Sequence, residues 1–377
     1  MKKIKLLTTF VLLLSCLQSG DAQTWVDSLD AYAREVYLPA AKYRWSWQNA
    51  SLLSVMVKQY DKSAPSEQKI YFDYVKQAMD KTYGKANGKS PNAVASGLGM
   101  AFLYRVTGDE KYKLKCDKIF NEYLQTRRTA EGAVSHLSFT LQLWDDTVFM
   151  IGEFLLGMYR ATGDEKYLDE LATQIKLHRD KLLDEEWGLW YHGWDSDAKS
   201  RCTFCGQWNW PDKTTGKSPE LWGRGNGWVI VSLSDALREI PKDNIHWNEF
   251  AGYLKEMVQR LPELQDKKTG HWYQLPVRNN DPENYIESSC TAMFAYGINS
   301  ALDLGIVTGN DFNTSADLAY QGLRKYSMRQ SGNYVTTMNV CKGTCIGNKN
   351  YYFNRKTKRE KPSGIAMFLN FGLSYKP

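Results

Sequence analysis

Cysteine is scarce in this chain, with seven residues in 377. So few cannot staple a fold of this length, and stability must come from a buried apolar core. Long apolar runs are missing after residue 22, so no later segment can cross a bilayer as a helix. Blocks of one charge are missing too. The basic residues are scattered except in Arg355-Lys-Thr-Lys-Arg359, which reads as a solvated loop, and nothing resembles a nucleic-acid-binding module.

The first residues differ from the rest. Lys2, Lys3 and Lys5 precede an apolar run from Leu6 to Leu17, and small residues follow around Ala22. The run is too short to span a membrane and reads as an export signal, with cleavage after Ala22. Leu13-Leu-Ser-Cys16 approximates a lipoprotein signal with Cys16 as the anchor, but Leu14 is large for that signal. Either way the protein is expected outside the cytoplasm, in the periplasm or as an outer-membrane lipoprotein, with residues 23–377 as one domain. Loss of 1–22 removes Lys2, Lys3, Lys5 and Asp21 and lowers the net charge from +6 to +4, which suits an acidic ligand weakly. Cys202-Thr-Phe-Cys205 and Cys341-Lys-Gly-Thr-Cys345 have the spacing of a four-thiolate zinc site. In an oxidising compartment a disulfide is the expected use of such cysteines, while Cys116 and Cys290 read as buried thiols.

What is present is a repeat. Leu103-Tyr-Arg-Val-Thr-Gly-Asp-Glu-Lys-Tyr112 recurs as Met158-Tyr-Arg-Ala-Thr-Gly-Asp-Glu-Lys-Tyr167. In each copy a helix poor in charge stops at a glycine, and an acidic pair opens a second, amphipathic helix. Low-charge helices belong inside and amphipathic ones outside. Twelve helices at roughly 30 residues per helix and loop fill the chain. The pattern predicts an all-α (α/α)6 barrel, six inner and six outer helices in one closed ring. Short strands are expected at Tyr273-Gln-Leu-Pro-Val and Tyr334-Val-Thr-Thr, within the long loops 193–219, 262–288 and 329–364.

Seven of the thirteen tryptophans fall between Trp187 and Trp228. Packing does not require that density beside polar loops, whereas sugar faces stack on such rings. Trp187 and Trp190 are expected to seal the loop instead. Within this stretch, Ser218-Pro-Glu-Leu-Trp222-Gly-Arg224-Gly-Asn226-Gly-Trp228 sets two tryptophans and an arginine among glycines. Glycines allow bending and close approach, and the guanidinium fork matches a carboxylate. Trp144-Asp145-Asp146 opens an inner helix. Neighbouring residues diverge by about 100° around a helix, so only one of the two acids can face the cavity. An aromatic wall and a second carboxylate raise a carboxyl pKa toward that of a general acid, while the helix N-terminus pulls it the other way, and the sequence does not fix the net sign. His192, in Leu189-Trp-Tyr-His192-Gly-Trp-Asp, stands among aromatics in the same way.

Trp144-Asp-Asp146-Thr-Val-Phe-Met, Leu189-Trp-Tyr-His192-Gly-Trp-Asp, the glycine-rich segment 218–228, Trp272-Tyr-Gln, Glu287-Ser-Ser-Cys-Thr-Ala-Met-Phe and Val340-Cys-Lys-Gly-Thr-Cys-Ile-Gly together resemble glycoside hydrolase family 105. The chain is similar, more distantly, to family 88. These are the unsaturated uronyl hydrolases. The resemblance runs in order over nearly all of 23–377 and implies the six-hairpin barrel. It implies removal of a 4,5-unsaturated galacturonyl or glucuronyl residue from the non-reducing end of lyase-generated acidic oligosaccharides. The reaction it implies is hydration of the vinyl ether, with no cofactor and no metal. Asp146 matches the catalytic acid, with Asp145 at a variable position. Trp144, His192, Trp222, Arg224 and Trp228 match positions lining the uronate pocket. Asn92 falls where the family commonly has a second aspartate; an amide can hold a sugar hydroxyl but cannot share a proton. Another carbohydrate-active enzyme on the same toroid, a polysaccharide lyase or an inverting glycosidase, and a non-catalytic sugar-binding protein are the alternatives.

Overall fold

The computed structural model describes residues 25–199 and 208–376. The chain forms the (α/α)6 barrel. Its inner ring is α1 (Trp47–Lys62), α3 (Gly97–Thr107), α5 (Thr147–Thr162), α7 (Gly223–Glu239), α9 (Ser288–Asp303) and α11 (Pro362–Ser374), with α11 packing on α1 to close the circle. The outer ring is α2 (Pro65–Thr82), α4 (Glu110–Leu124), α6 (Lys166–Leu182), α8 (Trp247–Gln259), α10 (Asn310–Tyr326) and the helical residues 25–37. The last of these packs on α11, where Trp25 and Val26 lie against Gly372, and Trp25 Nε1 donates to the Tyr320 hydroxyl of α10.

The repeat explains the hairpins. Inner helices α3 and α5 end at Gly108 and Gly163, with φ of 67° and 69°, a left-handed stop that a side chain disfavours. Asp109 then caps α4 by accepting from Lys111 N. The inner helices are buried nearly all round, as their lack of charge requires.

The two ends of the barrel differ. At the end where the inner helices begin, the loops gather. There Gln142–Trp144 pairs antiparallel with Gly193–Asp195, and Val340–Cys341 pairs with Thr357–Lys358. At the opposite end a polar network fills the axis. Lys58 Nζ of α1 meets Asp235 Oδ2 of α7 at 2.5 Å and Asn370 Oδ1 of α11 at 3.2 Å, and the Tyr296 hydroxyl of α9 donates to Asp235 Oδ1 at 2.6 Å. Tyr334–Thr337 is a strand, as expected, paired with Met328–Ser331. Tyr273–Val277 is not. Only Tyr273 bridges to Ile286, and Pro276 opens a 3-10 turn, because proline has no N–H to give a ladder.

Candidate active site

Asp146 is the residue before the first turn of α5, at the loop-bearing mouth. Its side chain is 14% exposed. Oδ1 lies 3.4 Å from His136 Nδ1, which is itself 2.8 Å from the Thr147 hydroxyl. On the other edge of the ring, His136 Nε2 is 3.2 Å from the Asn92 amide nitrogen. Asn92, His136 and Asp146 therefore form one line of contacts. Burial pushes the Asp146 carboxyl up, against the opposing pull of His136 and Arg224. Burial pushes His136 down, which keeps the ring neutral.

An aromatic wall stands around this line. The Trp144 indole stacks flat on His136, with centroids 4.4 Å apart, and meets His192 edge-on at 5.4 Å. Trp222 lies 4.4 Å from His192 on its other side. The Tyr352 hydroxyl holds His192 Nδ1 at 2.7 Å. Burial drives the His192 pKa far down, so this ring is neutral as well. Beneath the wall three inner helices meet. Trp228 of α7 packs on Phe149 of α5 at 4.4 Å and meets Trp47 of α1 edge-on at 6.5 Å. Since α1 and α7 lie on opposite sides of the ring, this contact crosses the barrel axis. Trp228 is thus buried in the core beneath the mouth rather than beside Trp222 in the wall.

Arg224 is more committed than a substrate fork. Its two terminal nitrogens donate to the carbonyls of Cys341 and Lys342 at 2.7 and 2.8 Å, and its guanidinium lies over the Trp222 ring. The buried Glu287 carboxylate is 3.7 Å away and also accepts from Cys341 N at 2.8 Å. Only Nε of Arg224 has no partner. The sequence led us to expect the whole fork to be open to a carboxylate; in the structure most of it anchors the 340–353 segment over the site. That segment supplies Tyr352 and packs Ile346 against Trp144. Cys345 within it is disulfide-bonded while Cys341 is a free buried thiol, so these two do not act together as zinc ligands. Cys116 and Cys290 are buried free thiols. Cys202 and Cys205, like Cys16 and the cleavage site at Ala22, lie outside the described residues.

From Gly223 to Trp228 the glycine-rich segment forms the first two turns of α7. A side chain at Gly225 would strike the Asp145 carboxylate, and one at Gly227 would strike Met293 of α9. The glycines serve close packing, not backbone freedom. Asp145 is fully buried above Gly225, with its backbone N–H donating to His192 O at 3.0 Å. Burial and the neighbouring Asp146 raise its pKa strongly, so it is neutral.

Among the described residues, fifteen buried side-chain polar atoms have no hydrogen-bond partner. Five of them, both oxygens of Asp145, Asp146 Oδ1, His192 Nε2 and Arg224 Nε, belong to this site. Buried polar groups are normally paired, so such a concentration marks a place built to receive a polar ligand. His136 and Tyr352 were not singled out in the sequence, because neither sits in a spaced motif.

The geometry can be set beside known proteins. Residues 22–377 match Glycosyl Hydrolase Family 88. The chain belongs to that family. It is 29% identical over 271 residues to the Unsaturated rhamnogalacturonyl hydrolase YesR of Bacillus subtilis (strain 168), covering 69% of this chain and 70% of that protein. It is 29% identical over 181 residues to the Unsaturated 3S-rhamnoglycuronyl hydrolase of Alteromonas sp. (strain LOR), covering 46% of this chain and 39% of that one. The family 105 glycoside hydrolase of C. acetobutylicum ATCC 824 superposes with a TM-score of 0.79 at 23% identity, over 94% of this chain and 98% of that one. The family 88 chain is therefore a glycoside hydrolase with a carbohydrate substrate, on the fold that families 88 and 105 share.

Proposed function

We propose that this hydrolase removes a 4,5-unsaturated uronyl residue from the non-reducing end of lyase-generated oligosaccharides, with Asp146 as acid and then base. The observation that carries this reading is the cluster of unpartnered polar atoms around a largely buried carboxyl group whose pKa is raised. A carboxyl group whose pKa is raised holds its proton to higher pH and can give it to a weakly basic carbon. Asp146 delivers its proton to C4 of the sugar, and positive charge develops at C5, shared with the ring oxygen. The resulting carboxylate takes a proton from water as the water oxygen bonds to C5. The hemiketal then opens and expels the aglycone. The neutral His136 orients Asp146, and Trp144 and Trp222 confine the sugar, with Trp228 supporting them from the core below. Asn92 serves as a hydrogen-bond holder, and His192 Nε2 and Arg224 Nε donate to the sugar carboxylate.

The names of the two relatives support an unsaturated acidic sugar, one rhamnogalacturonyl and one rhamnoglycuronyl. The basic and apolar start of the chain supports an exported enzyme, periplasmic or lipid-anchored at Cys16. Among the described residues no helix is long and apolar enough to cross a membrane. The test is a panel of lyase products in which the ultraviolet absorbance of the double bond is followed. Its disappearance on at least one member supports the reading. Persistence across the panel, or release of intact saturated sugars, rejects it.

A further inference from the structure

We propose that a groove on the rim, between α4 and the segments 89–91 and 135–138, is a subsite for the later sugars of a uronate-containing oligosaccharide. The proposal rests on the reading of Asp146 as the acid that acts on the first sugar. The groove has a volume of about 1150 Å³, somewhat more than an ordinary small-molecule site. Two short segments build both the groove and the active site. Ser90 and Pro91 line the groove, while the next residue, Asn92, holds His136. Ser135 and Leu137 line it, while His136 between them reaches Asp146. The Asn92–His136 pair is thus the partition between groove and carboxyl group. A sugar chain that leaves Asp146 over this partition enters the groove.

The far wall has the chemistry for it. Outer helices run antiparallel to inner ones, so the C-terminal half of α4 rises toward the mouth. Asn121 and Gln125, one helical turn apart, present two amides along the groove. The acids in the groove are already engaged. Asp117 pairs with Lys113 at 2.8 Å, and Glu122 accepts from Gly88 N at 2.8 Å. Lys89 and Arg127, both exposed in the lining, are left to meet anionic groups. A polymer cleaved by a lyase next to one uronate carries further uronates along its length. Amides for hydroxyls and two cations for carboxylates fit that pattern.

The experiment compares an unsaturated disaccharide with the tetrasaccharide from the same polymer, following the loss of ultraviolet absorbance. It uses the wild type and the double variant Lys89→Ala/Arg127→Ala, with thermal melting as a check of folding. The wild type is expected to show a KM about fivefold lower for the tetrasaccharide, from two exposed charge contacts. The double variant is expected to lose that advantage at unchanged kcat, with the disaccharide unaffected. Equal KM for both lengths in the wild type, or a double variant that keeps the advantage, overturns the subsite. A wild type that leaves the disaccharide chromophore intact rejects the uronyl-hydrolase reading itself, and the subsite with it.

Discussion

At the scale of single residues, the proposed chemistry turns on what surrounds Asp146. Asn92 stands where the family resemblance implies an aspartate. Its amide donates to His136 Nε2, so the ring carries its hydrogen on Nδ1, the nitrogen facing Thr147 and Asp146. An aspartate there would accept from Nε2 instead and add a negative charge to the line. That charge would favour the protonated form of Asp146. In the proposed mechanism the first step needs that form, so activity is expected to fall as pH rises through the Asp146 pKa. Asn92→Asp is therefore expected to move the alkaline limb of kcat/KM upward by about one pH unit. A limb that stays in place in the pH–rate profile would uncouple Asn92 from the acid. Asp146, Trp144, His192, Trp222 and Arg224 were legible in the sequence because each sits in a dense aromatic or glycine-rich motif. His136 was not, because a loop brings it back beneath Trp144 from no recognisable spacing. Nor was the engagement of Arg224, since its acceptors are backbone carbonyls more than a hundred residues away.

At the scale of elements, α7 shows how a helix start shapes the site. Gly223, Gly225 and Gly227 weaken the helix by roughly 1 kcal/mol each relative to alanine. They are tolerated because backbone and side chains from other elements press against them, with Tyr273 O only 2.9 Å from a side-chain position at Gly223. Gly225→Ala should therefore fail to stabilise the protein despite the better helix propensity. The added methyl displaces the Asp145 carboxyl group and with it the loop that carries Asp146. A lower melting temperature and at least a tenfold loss of kcat/KM are expected. A stabilised and fully active variant would show that Asp145 does not rest on this glycine. In the sequence the glycine spacing signals bending and close approach alike; the structure uses it for close approach.

At the scale of the whole molecule, the ring was legible from one repeat, because a hairpin that hides one face in its neighbour must be continued round to closure. The contrast between the two ends was not. The candidate catalytic groups lie at the mouth, whereas the far end is sealed by charged side chains from opposite helices. Glu153 of α5 is buried there against Asp235, and burial raises its pKa from 4.5 to about 8. A carboxyl group with a raised folded pKa adds stability below its unfolded value and loses it as pH climbs through the folded one. Stability should therefore decline between about pH 4.5 and pH 8, with Glu153 alone contributing at most about 1.4 kcal/mol per pH unit. Glu153→Gln keeps the hydrogen bond to Asp235 and removes the titration. Its melting temperature is expected to vary less with pH across that window. A decline as steep as the wild type would place the sensitivity elsewhere.

In the proposed mechanism Asp146, and not its neighbour, is the proton donor. Asp145 is neutral and fully buried above Gly225, so an amide replaces it with little change in charge or shape. The two roles separate in the rate of absorbance loss on an unsaturated uronide for Asp146→Asn and Asp145→Asn, each shown by thermal melting to be folded. Asp146→Asn should lose ~10³-fold in kcat, the scale of a missing general acid, while Asp145→Asn keeps kcat within about tenfold of the wild type. An active Asp146→Asn beside an inactive Asp145→Asn would reverse the assignment.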